Sequence, residues 1–176
     1  MAVMNNSIKF AVLCIFALGI LMPCLAEEPP LPHGWRTPTS AETKDEWRNE
    51  DADRYLIVRA DFNGDGVMDQ ARLLLRDPGT GLGLFAFVSQ KDGTFKTYLL
   101  DEKENAAYIE VMGIKTVPPG LYKTACGKGY FDCSEGETPE ILLRHPAIDY
   151  FKEGSANSYF YWDEATETFK IVGIGD

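Results

Sequence analysis

The sequence predicts a mainly β, antiparallel sheet domain with one short N-terminal helix. Two observations carry that prediction. From Tyr55 onward, short runs rich in Val, Ile, Leu, Phe and Tyr are separated at close intervals by Gly, Pro, Asp and Asn, the texture of strands and tight turns. The only helix signal precedes them: Thr39-Ser-Ala-Glu42 has the spacing of a capping box, in which hydroxyl and carboxylate satisfy the first free backbone donors.

The elements follow in order. Residues 1–26 read as a signal peptide, with Lys9 as the basic end, an apolar stretch from Phe10 to Met22, and an exit at Pro23-Cys-Leu-Ala26 before Glu27. Pro23 cuts the apolar stretch short of the roughly 20 residues a bilayer span needs. Lipid attachment at Cys24 is the alternative, disfavoured because Pro23 stands where such a signal wants a small residue. Residues 27–38 carry Pro29, Pro30, Pro32 and Pro38 and read as an extended arm. The capping box predicts a helix at about 40–50 with Trp47 on its buried side. Strands are expected at 55–60, 70–76, 82–89, 94–100, 108–114, 120–125, 140–145, 158–163 and 168–173, all within one domain spanning 39–176. Lys91-Asp92-Gly93 supplies a hairpin turn, since the Asp-Gly step tolerates positive φ. Phe160, Trp162, Phe169 and Ile171 alternate as a final hairpin with one face toward a core.

Charge and cysteines narrow the setting. The chain has 17 basic and 27 acidic residues, net −10, and removing the signal takes away only Lys9, leaving −11. Such a surface repels phosphate backbones and anionic headgroups, so nucleic acid is not an expected partner; metal cations and a basic protein are. Cys14 and Cys24 leave with the signal. Cys126 and Cys133 remain, in a loop-rich stretch of a chain bound for an oxidising compartment, and are expected to form a disulfide. The spacing matches neither a zinc knuckle nor a Cys-x-x-Cys redox motif.

One stretch carries chemistry. Asp61-Phe-Asn63-Gly64-Asp65-Gly66-Val67-Met68-Asp69 places oxygen-bearing side chains at positions 1, 3, 5 and 9 of a loop, with the Val67 carbonyl at position 7. A hard cation takes such an array, and calcium, with six to eight oxygen ligands, suits it better than octahedral magnesium. Gly64 and Gly66 permit the sharp turn. Position 12 is Arg72 rather than the bidentate Glu of an EF-hand, and the flanks read as strands. With three carboxylates, affinity belongs in the ~10⁻⁴ to 10⁻³ M range of extracellular modules, a staple rather than a sensor. The alternative is an Asx-rich turn that holds no ion.

At these residues the chain resembles the FG-GAP type of calcium-loop repeat, found in integrin-like propellers and secreted bacterial proteins. The likeness runs from about residue 58 through Phe87-Val-Ser-Gln-Lys-Asp92-Gly93-Thr94-Phe95. It implies a calcium held by Asp61, Asn63, Asp65, Val67 and Asp69 between adjacent strands. A propeller needs at least four blades; this chain carries one copy of the loop, so a sheet domain that borrows one unit is expected. Taken with Pro32-His-Gly-Trp35, Thr124-Ala-Cys-Gly-Lys-Gly-Tyr130, Pro146-Ala-Ile-Asp-Tyr-Phe151 and Phe160-Tyr-Trp-Asp163, the chain also resembles a family of small exported bacterial proteins. That likeness implies a periplasmic or secreted location and brings no activity with it.

No catalytic constellation is legible. The two histidines, His33 and His145, sit in the Pro-rich arm and before Pro146. Gly127-Lys128-Gly129 lacks the flanking Gly and Ser/Thr of a phosphate loop. The expectation is an exported binding module, not an enzyme. A periplasmic inhibitor or immunity protein against a basic cell-wall hydrolase is its narrower alternative, and a small carboxylate-dependent hydrolase stands third.

Overall fold

The computed structural model describes residues 28–175. The expected signal peptide, with Lys9, Cys14 and Cys24, lies outside the described residues. The fold is mainly β, as expected, and antiparallel throughout. Its strands are β1 (Trp35–Arg36), β2 (Ile57–Ala60), β3 (Asp69–Arg76), β4 (Gly81–Ser89), β5 (Phe95–Lys103), β6 (Met112–Val117), β7 (Gly120–Lys123), β8 (Glu140–Leu143), β9 (Ala147–Lys152), β10 (Asn157–Asp163) and β11 (Thr168–Gly173).

The first sheet has the order β1-β3-β4-β5, with β2 sharing the β3 edge below β1. The second runs β11-β10-β9-β6, and β7 and β8 form a separate hairpin. The main core lies between the two large sheets. Ala71, Leu73, Leu75, Leu82, Leu84 and Ala86 from the first meet Ile114, Ile148, Tyr150 and Phe160 from the second. Period-two alternation sends Leu74, Phe85 and Phe87 to the other face, where Trp35 and Phe95 cover them. Both faces of β3 and β4 are therefore buried, which is why Leu73-Leu-Leu75 reads as a continuous apolar run.

The turn at Lys91-Asp92-Gly93 forms as expected. Gly93 has φ +85°, Gln90 N–H donates to Thr94 O at 2.7 Å, and Asp92 Oδ1 accepts from Thr94 Oγ1 at 2.7 Å. The final hairpin pairs Phe160 with Ile171 and Trp162 with Phe169. Phe160 is buried, but Ile171, on the edge strand β11, is exposed.

Three expectations need correction. The helix at 40–50 is absent: residues 40–43 make one turn and Glu46–Glu50 a short 3₁₀ helix. Glu42 does reach back, accepting from Thr39 N–H at 2.8 Å. However, the Thr39 hydroxyl also donates to that carboxylate, and Arg36 binds it with two nitrogens at 2.9 and 2.7 Å. The cap thus closes a turn onto β1 instead of opening a helix. Within the 3₁₀ helix the buried side chain is Arg48, fully covered, while Trp47 is half-buried. Arg48 donates to Met112 O at 2.7 Å, Arg54 O at 2.9 Å and Ile109 O. Those carbonyls accept from both terminal nitrogens of the buried guanidinium, its Nε has no hydrogen-bond partner, and burial lowers its pKa to about 10.

The expected strand at 108–114 begins only at Met112. Ala106–Glu110 is a 3₁₀ helix capped by Asn105, whose side chain accepts from Ala107 N–H at 2.9 Å. Strand β9, finally, has no counterpart in the sequence reading. Asp149 interrupts its apolar run, yet is buried there. The Pro-rich arm is tied down, because its Trp35–Arg36 segment pairs with Leu75 and Arg76.

Cys126 and Cys133 form the expected disulfide, with Cα atoms 5.0 Å apart. It closes the long connection between β7 and β8. Among the described residues no helix is long and apolar enough to cross a membrane.

The carboxylate loop and the candidate functional site

Four of the five residues expected to hold a cation lie in the one connection between β2 and β3, and the fifth, Asp69, is the first residue of β3. Asp61 organises the turn. Its Oδ1 accepts from Gly64 N–H at 2.7 Å and Asp65 N–H at 3.1 Å, and its Oδ2 from Gly66 N–H at 2.9 Å. Asn63 Oδ1 accepts from Asp65 N–H, and Asn63 Nδ2 donates to Asp65 Oδ2, both at 3.1 Å. Asp65 Oδ1 accepts from Val67 N–H at 2.8 Å. These are the Asx-type bonds that short polar side chains make to their own backbone.

Asp69 differs from the rest because it is fully buried. Its Oδ2 accepts from Phe62 N–H at 3.0 Å and its Oδ1 from Ser89 N–H at 2.9 Å, so one carboxylate joins the start of the loop to the end of β4. Burial pushes its pKa up to about 6; the two amides oppose that rise, and the negative charges of Asp65 and Asp61 add to it.

The side chains are oxygen donors, the type a hard divalent ion takes. A carboxylate offers about four lone-pair sites, so Asp61, with three backbone donors, and Asp69, with two, keep acceptor capacity. The mutual repulsion recorded at Asp69 is what a cation would relieve. Among the described residues, no three His, Cys, Asp or Glu side chains are grouped so as to hold a metal ion. Asp61, Asp65 and Asp69 are therefore not grouped in that way.

The loop is packed against residues that no spacing in the sequence links to it. Gly64 has φ +76°, and a Cβ there would sit 2.1 Å from the His145 ring, so glycine is required twice over. His145 Nε2 lies 3.1 Å from Glu164 Oε1. Trp162 and Glu164 are shared by two recesses. One, of about 320 Å³, is lined by Arg144, His145 and Tyr161; the other, of about 370 Å³, by Asn63, Lys96, Tyr98 and Glu167. Sequence reasoning placed His145 before Pro146 and outside any catalytic constellation; in the structure it lies in the bend between β8 and β9. Sequence reasoning missed Glu164, whose partner lies 19 residues away and carries no local signal.

Fold and site together define a mainly β domain of two stacked antiparallel sheets, with an Asp/Asn-rich turn at one end and a disulfide-closed hairpin. Comparison with protein-family models, with curated proteins and with solved structures finds no match to the chain.

Proposed function

We propose that the chain is an exported binding module whose acidic surface meets a basic protein and whose β2–β3 loop is stapled by calcium. The ligands in this reading are the side chains of Asp61, Asn63, Asp65 and Asp69 and the carbonyl of Val67. The observation that carries it is the placing of Asp61 and Asp65 in one loop that Asp69 ends, with Asp69 buried and its pKa raised first by that burial, the charges of Asp65 and Asp61 adding to the rise. A cation there supplies charge neutralisation and no chemistry. The net charge of −11 left after signal removal supports the cationic partner.

A thermal melt tests the staple. With a Kd of about 10⁻⁴ to 10⁻³ M, 10 mM calcium adds about 1.4 to 2.7 kcal/mol by linkage. In a domain of this size that raises Tm by roughly 3 to 10 °C, and Asp65→Ala should remove the gain. An unchanged midpoint in excess calcium means an ion-free turn. The partner reading predicts that affinity for oligo-lysine falls steeply with ionic strength; salt-independent or absent binding overturns it.

A further inference from the structure

A recess larger than the two that share Trp162 and Glu164 lies away from the carboxylate loop, on the outer side of β6 and β9. It is a cleft of about 540 Å³, walled by Trp47, Tyr55 and Phe151, with Asp149, Lys115 and Asn157 among its polar lining. The three rings form one cluster. Trp47 stacks on Tyr55 with centroids 5.5 Å apart, and Phe151 meets both edge to face at 6.0 and 5.5 Å.

The backbone is bent to present these rings. Arg54 and Tyr55 are consecutive non-glycine residues at φ +57°, a conformation that bulky side chains rarely adopt and that clusters at functional sites. Gly113 on β6 makes room for Phe151, since a Cβ there would fall 2.4 Å from the Phe151 ring.

The polar lining contains a buried anion. The Asp149 side chain is 2% exposed. Its Oδ1 accepts from Asn157 Nδ2 at 2.8 Å, and its Oδ2 lies 3.4 Å from Lys115 Nζ. Asn157 Oδ1 is buried with no hydrogen-bond partner. Lys115 is itself more than half exposed, and its ammonium stands 5.2 Å from the centre of the Phe151 ring. A cation over an aromatic face, backed by a desolvated carboxylate, is how proteins recognise ammonium and guanidinium groups. Here the chain's own lysine occupies that position.

We propose that this cleft receives a cationic side chain, arginine above all, from a basic protein partner, and that Lys115 swings out to admit it. A guanidinium offers a flat face to the rings and a fork of donors to Asp149 and to the free oxygen of Asn157. The inference rests on the basic-partner reading above and names where on the surface that partner is gripped.

The test follows the Trp47 indole N–H resonance, assigned with Trp47→Phe, while argininamide is added to the full domain at low salt. Saturable movement of that signal by argininamide, but not by its uncharged isostere citrullinamide, is expected. Asp149→Asn should weaken the response at least several-fold. Lys115→Met, which removes the internal competitor, should lower Kd several-fold. Weaker binding in Lys115→Met, an equal response to citrullinamide, or saturation by N-acetylglucosamine in place of argininamide would each overturn the proposal. If oligo-lysine binds in a salt-dependent way while argininamide leaves Trp47 unmoved, the cleft is wrong and the broader partner reading stands.

Discussion

Asp69 shows how one side chain can serve two purposes. Its position in the sequence makes it the ninth residue of the loop and a proposed cation ligand, whereas the fold makes it a clamp between Phe62 and Ser89. Replacing it strands two buried amides, so Asp69→Ala should cost roughly 2 to 4 kcal/mol even with chelator present. Asp65 is exposed and bonds only within its own turn; Asp65→Ala should cost about 1 kcal/mol or less without calcium. Urea denaturation of both variants in chelator separates the roles, and equal losses would contradict the clamp. The spacing of the loop oxygens was legible because it is local. The clamp was not, since the Ser89 amide arrives from 20 residues downstream.

Among the elements, strands were easier to read than the N-terminal segment. Runs such as Leu82–Val88 and the Asp92-Gly93 turn state their own conformation. The turn at 39–43 depends instead on Arg36, which captures Glu42 in a two-pronged pair and halts the helix its capping box would start. That pair, with Thr39, holds the Glu42 carboxyl at about 2, below its ordinary 4.5. The unfolded chain therefore takes up the proton first as pH falls. The stabilisation is complete above about pH 4.5 and is lost as pH drops toward 2. Glu42→Gln should flatten the stability curve across that window and leave its slope near neutrality unchanged, as read from melts at stepped pH. Strand β9 escaped notice for a related reason: Asp149 looks like a loop residue until Asn157 and Lys115 are brought to it.

At the scale of the molecule, the two large sheets supply the main core, and the β7–β8 hairpin depends on its covalent link. Val117, Leu143 and Ala147 form only a small cluster beside it, with Tyr122, Ile141, Tyr159 and Tyr161 packed around them. Closing a loop with a sequence separation of seven residues removes chain entropy worth roughly 2 to 3 kcal/mol. Cys126→Ser with Cys133→Ser should lower stability by about that amount. Chemical denaturation checks the loss, and hydrogen exchange should show it concentrated at residues 120–143.

The sequence by itself determined the sheet class, most strand positions, the cysteine pair and the placing of Asp61, Asn63 and Asp65 in one turn that Asp69 ends. Each of these is written in contacts between residues close along the chain or in a period of two. Only the tertiary structure decided that Arg48 is buried, that Gly64 carries the His145 ring, and that Trp47, Tyr55 and Phe151 enclose Asp149. Those arrangements join residues far apart in sequence. A buried charge or a shared cleft is stable only once distant strands have delivered its partners, and no local pattern records that delivery.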